Sequence, residues 1–157
     1  PVSIRGGNLE RLNIYIDRNL SVDYIVPVFK VEFLLNKPVL VIIDDDDQLR
    51  KAVSRILARC GFDVHAFDNP DDALLYIEEN PEFSGILSDF DMASTRNGIQ
   101  VFHEVQPILS GRPFVLLTGT EDLEERYPGL PSECVVRRKP CIIKSLLPDL
   151  PALPPSA

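Results

Sequence analysis

The 157 residues are enough for one domain with a core and too few for two ordinary ones. No apolar run approaches the roughly eighteen residues of a membrane span. A formal net charge of −8 without a dense Lys/Arg run argues against direct nucleic-acid binding as the main activity. Residues 1–37 hold five basic and four acidic residues, so the rest of the chain carries −9, densest at Asp44 to Asp47. Such a concentrated acidic patch points to a bound cation. Cys60, Cys134 and Cys141 are odd in number and form no CxxC pair. They fit reduced, buried thiols in a cytoplasmic setting. No signal-peptide pattern opens the chain.

In chain order, residues 1–36 read as an N-terminal β-rich extension or linker. LNIYI (12–16) and VDYIVPVFKVEFLL (22–35) are rich in β-branched and aromatic residues and predict a hairpin arm, with Pro27 confining the second run to an edge or bent strand. The stretch is either a linker or remnant of a preceding domain, or an arm that covers a surface or pairs with another subunit in a homodimer. From Lys37 the pattern is regular. VLVII (39–43) is a buried strand that stops at Asp44. Leu49, Val53, Ile56, Leu57 and Cys60 then form one face of a helix, with Asp46 or Asp47 as cap and Gly61 as terminator. Arg50, Lys51, Arg55 and Arg59 read as its solvated face.

FDVHAF (62–67) alternates as a strand. Asn69 and Pro70 open a helix with Ala73, Leu74 and Ile77 inward, which Asn80 and Pro81 close. GILSD (85–89) is a third strand, followed by a polar loop from Ala93 to Asn97 and a helix from about Gly98 to Gln106 that Pro107 stops. PFVLLTG (113–119) is the fourth strand, EDLEERYPG allows two turns of helix, and CVVRRKP (134–140) is the fifth strand. IIKSLL (142–147) is a last short helix cut by Pro148, and residues 148–157 form a Pro-rich tail, extended or unstructured, with no output domain expected after it.

Five βα repeats with short connections imply an α/β, flavodoxin-like doubly wound sheet of five parallel strands in the order 2-1-3-4-5. That order sets Asp44 and Asp45 beside Asp89, with Thr118 and Lys139 at the ends of strands four and five. Crowded carboxylates need a cation to offset them. With oxygen as the only donor type, Mg2+ is the expected one. Aspartate can itself be a nucleophile toward phosphorus, with a lysine and a hydroxyl to receive the phosphoryl oxygens. His65 and His103 lack partners in the pattern and read as structural.

VLVIIDDDDQLR, GILSDFDM, VLLTG and VVRRKP, in this order and spacing, resemble the acid pair, phosphoacceptor, Thr/Ser and Lys-Pro motifs of chemotaxis-regulator-like response regulator receiver domains in two-component signalling. The resemblance spans about residues 37–147. It implies phosphorylation of Asp89 by a histidine kinase or phosphotransfer protein, and Mg2+ held by the side chains of Asp45 and Asp89, the Asp91 carbonyl and, through water, Asp44. Thr118 would report the phosphoryl group, Lys139 would pair with it, and a downstream protein target would read the fourth-helix/fifth-strand face. The four-Asp run also permits Asp46 as ligand with Asp45 in support; Leu49 and Val53 favour Asp44 and Asp45. Ala93 replaces the usual Pro, the loop before Gly98 is one residue longer than usual, and Val136 stands where the family often has an aromatic.

Two other readings remain. One is a receiver-like interaction module that signals without phosphorylation. The other is a phosphatase of the haloacid dehalogenase type, since SDFDM resembles its DxD motif. That family places its acid pair after the lysine, whereas here the acids precede Asp89, and the expectation is a signalling domain rather than an enzyme.

Overall fold

The structure, a computed structural model, describes residues 9–17, 20–27, 37–128, 130 and 133–153. Strands β1 (Leu9–Asp17) and β2 (Leu20–Pro27) pair antiparallel, Leu9 opposite Pro27, with an irregularity between Tyr15 and Asp17. Pro27 is the last residue of β2, where its missing N–H removes least from the ladder. The rest of the predicted second run, 28–35, lies outside the described residues. Residues Pro38–Leu153 form a separate compact unit.

That unit holds β3 (Val39–Ile43), β4 (Asp63–Phe67), β5 (Gly85–Asp89), β6 (Phe114–Thr118) and β7 (Cys134–Arg138). Their order is β4-β3-β5-β6-β7, all neighbours parallel, which is the predicted 2-1-3-4-5. Every residue of β5 and β6 is buried, as expected of central strands covered on both faces. Alternate residues feed two cores. Val41 and Ile43 pack with Ala73, Ile77, Phe102 and Val105 on one face, Leu40 and Ile42 with Val53, Leu57 and Leu146 on the other.

Helix α1 (Asp47–Cys60) is capped by the Asp46 carboxylate, which accepts from the Gln48 and Leu49 N–H groups, and ends at Gly61 with φ 112°, a conformation that costs glycine little. Ile56 departs from its predicted inward place and is 43% exposed. It lies about 100° around the helix from Leu57, at the rim of the stripe centred on Val53 and Leu57. Helix α2 (Pro70–Glu79) opens as predicted at the Asn69 cap. Helix α3 (Gly98–Leu109) runs through Pro107 instead of stopping there. At that point a proline removes one hydrogen bond from a helix with only two residues left, and left-handed Ser110 and Gly111 end it.

Helix α4 (Leu123–Arg126) is a single turn, and α5 (Ile143–Leu146) continues as a 3-10 turn at Leu147–Asp149. Pro148 is therefore the second residue of that turn, after α5 has ended at Leu146. The segment after it, expected to be an extended or unstructured tail from residue 148, packs on the domain as far as Leu153. Leu150 is 6% exposed within the second core, and Leu153 packs against the same cluster. Asp149 takes a two-pronged ion pair from Arg137 of β7 at 2.7 and 2.6 Å. The apolar spacing Leu147, Leu150, Leu153 supplies one buried and two partly buried side chains that the proline count obscured.

Candidate functional site

The carboxyl ends of the strands converge because the strand order reverses between β3 and β5. Asp44 follows β3, Asp89 ends β5, Thr118 ends β6, and Lys139 follows β7. The ladder continues just past the strands: the Asp44 N–H donates to the Phe67 carbonyl at 3.1 Å, Phe90 N–H to Leu117 at 2.7 Å, and Lys139 N–H to Thr118 at 2.7 Å. Each of these side chains thus leaves a backbone pinned by its neighbour. The Lys139–Pro140 peptide bond is cis.

Asp44 and Asp89 are buried, 4% and 6% exposed. Lys139 Nζ lies 2.9 Å from Asp89 Oδ1 and 3.4 Å from Asp44 Oδ2, one ammonium between two carboxylates. Burial pushes the Asp89 carboxyl up from its ordinary value; Lys139 opposes this and Asp44 adds to it. For Lys139, burial disfavours the charge, but pairing with Asp89 and Asp44 outweighs it and raises the ammonium above its ordinary value. The signs differ at neutral pH. A carboxyl raised in the folded state removes stability as pH climbs from its unfolded value through its folded one, whereas the raised lysine contributes stability throughout that range and loses it only in alkali.

Asp45 is exposed at the mouth and its Oδ2 accepts from the Ala93 N–H at 2.6 Å, tying the loop after β3 to the loop after β5. Carboxylate oxygens of Asp44, Asp45 and Asp89 lie within 4.8 Å of one another. Asp46 is turned away as the α1 cap, so the trio contains Asp44 and Asp45. The donors are all oxygen, and three carboxylates face one ammonium, so a hard divalent cation fits both their chemistry and their charge. Asp91 is exposed, and its carboxylate accepts from the Thr120 hydroxyl at 3.2 Å. Thr118 is fully buried, and its hydroxyl oxygen accepts from the Thr120 N–H at 2.9 Å.

Three residues beside the site went unnoticed in sequence. Arg50 was assigned to a solvated stripe, Thr120 lies two residues past Thr118, and Tyr127 follows α4. The Tyr127 ring packs edge-on to Phe90 at 5.6 Å between centroids, and its hydroxyl is 3.4 Å from Asn97 Nδ2. Spacing from Asp44 could have flagged Arg50; no pattern marks Tyr127.

The family profile described as "Response regulator receiver domain" matches residues 40–133, more than half of the chain. The chain belongs to the response regulator receiver family. As a receiver domain of two-component signalling, it is 33% identical over 87 residues to the C4-dicarboxylate transport transcriptional regulatory protein DctD of Rhizobium meliloti (strain 1021), covering 55% of this chain and 18% of that protein. The chain thus spans under a fifth of that relative's length. Among solved structures, a response regulator receiver protein from Sinorhizobium medicae WSM419 superposes with TM-score 0.66 at 22% identity, covering 74% of this chain and 93% of that one. The chemotaxis response regulator CheY4 of Vibrio cholerae gives 0.62 at 22% identity, covering 72% and 95%. These neighbours share the receiver fold. Among the described residues, no helix is long and apolar enough to cross a membrane.

Proposed function

We propose that this receiver domain is a switch worked by Mg2+-dependent phosphorylation of Asp89, with a histidine kinase or phosphotransfer protein as donor. The observation that carries this reading is the convergence of Asp44, Asp45 and Asp89 within 4.8 Å around the Lys139 ammonium, at the one sheet end where the strand order reverses. Mg2+ would be held by Asp45 and Asp89 through side chains, Asp91 through its carbonyl and Asp44 through water. When bound it neutralises phosphoryl oxygen charge.

An Asp89 carboxylate oxygen attacks the donor phosphorus; an O–P bond forms, the phosphorus–nitrogen bond of a phosphohistidine breaks, and the imidazole leaves with the bonding pair. Lys139, paired with Asp89 at 2.9 Å, passes to a phosphoryl oxygen. The Thr118 hydroxyl keeps the Thr120 N–H as its donor and still has a proton of its own to give that oxygen. Phosphorylation then biases an existing two-state equilibrium, and a downstream protein reads the α4/β7 face. With Val136 in place of an aromatic, Tyr127 against Phe90 is the ring that connects that face to the loop after Asp89. The arm at 1–36 and the cytoplasmic setting belong to the same reading.

Beryllofluoride, which mimics an aspartyl phosphate, tests it. Fluorine NMR of the full chain is expected to show a bound adduct only when Mg2+ is present. A chain that binds no beryllofluoride at saturating Mg2+ contradicts the switch and leaves the phosphorylation-independent interaction module standing.

A further inference from the structure

Arg50 sits in the first turn of α1, but its side chain does not point to solvent; it is 14% exposed. One guanidinium nitrogen donates to the main-chain carbonyl of Asp44 at 2.7 Å, and the other donates to the Asp47 carboxylate at 2.9 Å. The same small cavity is lined by Arg50, Asp44, Asp89, Val53 and Leu117. Arg50 thus spans from the first residue of the loop after β3 to the first residue of α1, yet bonds neither carboxylate oxygen of Asp44. Those oxygens stay turned the other way, Oδ1 to the Asp46 N–H at 2.9 Å and Oδ2 toward Lys139 at 3.4 Å.

Resting on the reading of Asp44, Asp45 and Asp89 as an Mg2+ site, we infer that Arg50 is a positioning residue that fixes the Asp44–Asp47 loop so that its first two carboxylates face the cation. Four consecutive aspartates repel one another; the helix phase and the Asp46 cap turn Asp46 away, and the peptide that carries Asp44 still has to be held. A planar fork that spans the Asp44 carbonyl and the Asp47 carboxylate holds the first peptide still and, with Lys51 Nζ on the other Asp47 oxygen at 2.7 Å, keeps the last acid outward. Groups behind a metal's direct ligands commonly set its affinity by one to two orders of magnitude.

Charge and geometry predict opposite signs here. Arg50 is a cation near a cation site, so by Coulomb repulsion alone its removal tightens Mg2+ binding; as a positioning residue its removal weakens binding. Calorimetric Mg2+ titration of the parent, Arg50→Ala and Arg50→Lys decides between them. The expected result is a Kd raised about 10-fold in Arg50→Ala and about 3-fold in Arg50→Lys, which keeps the charge and one donor but loses the fork. Equal or tighter Mg2+ binding by Arg50→Ala overturns the inference while leaving the metal site intact. If Arg50→Ala does not fold, Arg50→Lys alone carries the test, because its charge is unchanged and an unaltered Kd overturns the proposal. A parent that binds no Mg2+ overturns both this inference and the site it rests on.

Discussion

Replacing Lys139 with Ala is expected to slow phosphoryl uptake from acetyl phosphate by about 100- to 1,000-fold, the usual cost of deleting one preorganised charge at a developing oxyanion. Mg2+ binding should stay the same or tighten. The ammonium stands between Asp89 and Asp44 at 2.9 and 3.4 Å, so its loss leaves two buried acids facing each other and raises the site's demand for a cation. Without Mg2+ the variant should also unfold more easily, by about 1–3 kcal/mol at neutral pH, because a buried carboxylate loses its partner. Stopped-time phosphorylation assays with calorimetry on the same samples separate the two effects. An uptake rate within about threefold of the parent removes Lys139 from the chemistry.

Gly98→Ala is expected to destabilise the domain by about 2–4 kcal/mol in urea unfolding, at the upper end of overpacking costs. A Cβ at position 98 would fall on the Leu116 side chain and on the Asp89 carbonyl oxygen, closer than real Cβ contacts come. Leu116 has rotamers to give, but the carbonyl does not. It belongs to the last residue of β5, whose neighbour Phe90 accepts from the Gly98 N–H at 3.2 Å. The strand end must therefore shift, and Asp89 with it. Rescue by Leu116→Ala should be partial, since it relieves the side-chain contact and not the backbone one. A stability loss under about 0.5 kcal/mol would mean that α3 can slide away from β5.

The elements legible in sequence are those whose signal is local. VLVII and FVLLT are apolar runs that only a covered strand tolerates, and the Asp46 and Asn69 caps and Gly61 act within a few residues of themselves. The βα repeats make a parallel sheet legible, but its strand order is a choice among doubly wound sheets; the flavodoxin-like order, which the structure has, brings the acid trio and Lys139 together. What the sequence hid depends on neighbours distant along the chain. Pro107 stops a helix in general, but here the helix was ending anyway. Leu150 looks like part of a proline-rich tail until the core that covers it exists. Arg50 looks solvated because helical periodicity assigns it to the polar side, whereas its partners are the Asp44 carbonyl in the preceding loop and the Asp47 carboxylate at the first position of the helix. Thr118 was rightly marked as the end of β6, but its hydrogen bond to the Thr120 N–H is a turn contact invisible to pattern. Tyr127 meets Phe90 only through the fold.

The most direct test of the account is intact-mass and peptide-level detection of phosphate after incubation with acetyl phosphate, with and without Mg2+, in the parent and in Asp89→Asn. The account predicts one phosphoryl group, on Asp89, only when Mg2+ is present, and none on Asp89→Asn. Equal uptake by Asp89→Asn, or uptake by the parent that survives chelation of Mg2+, would contradict it.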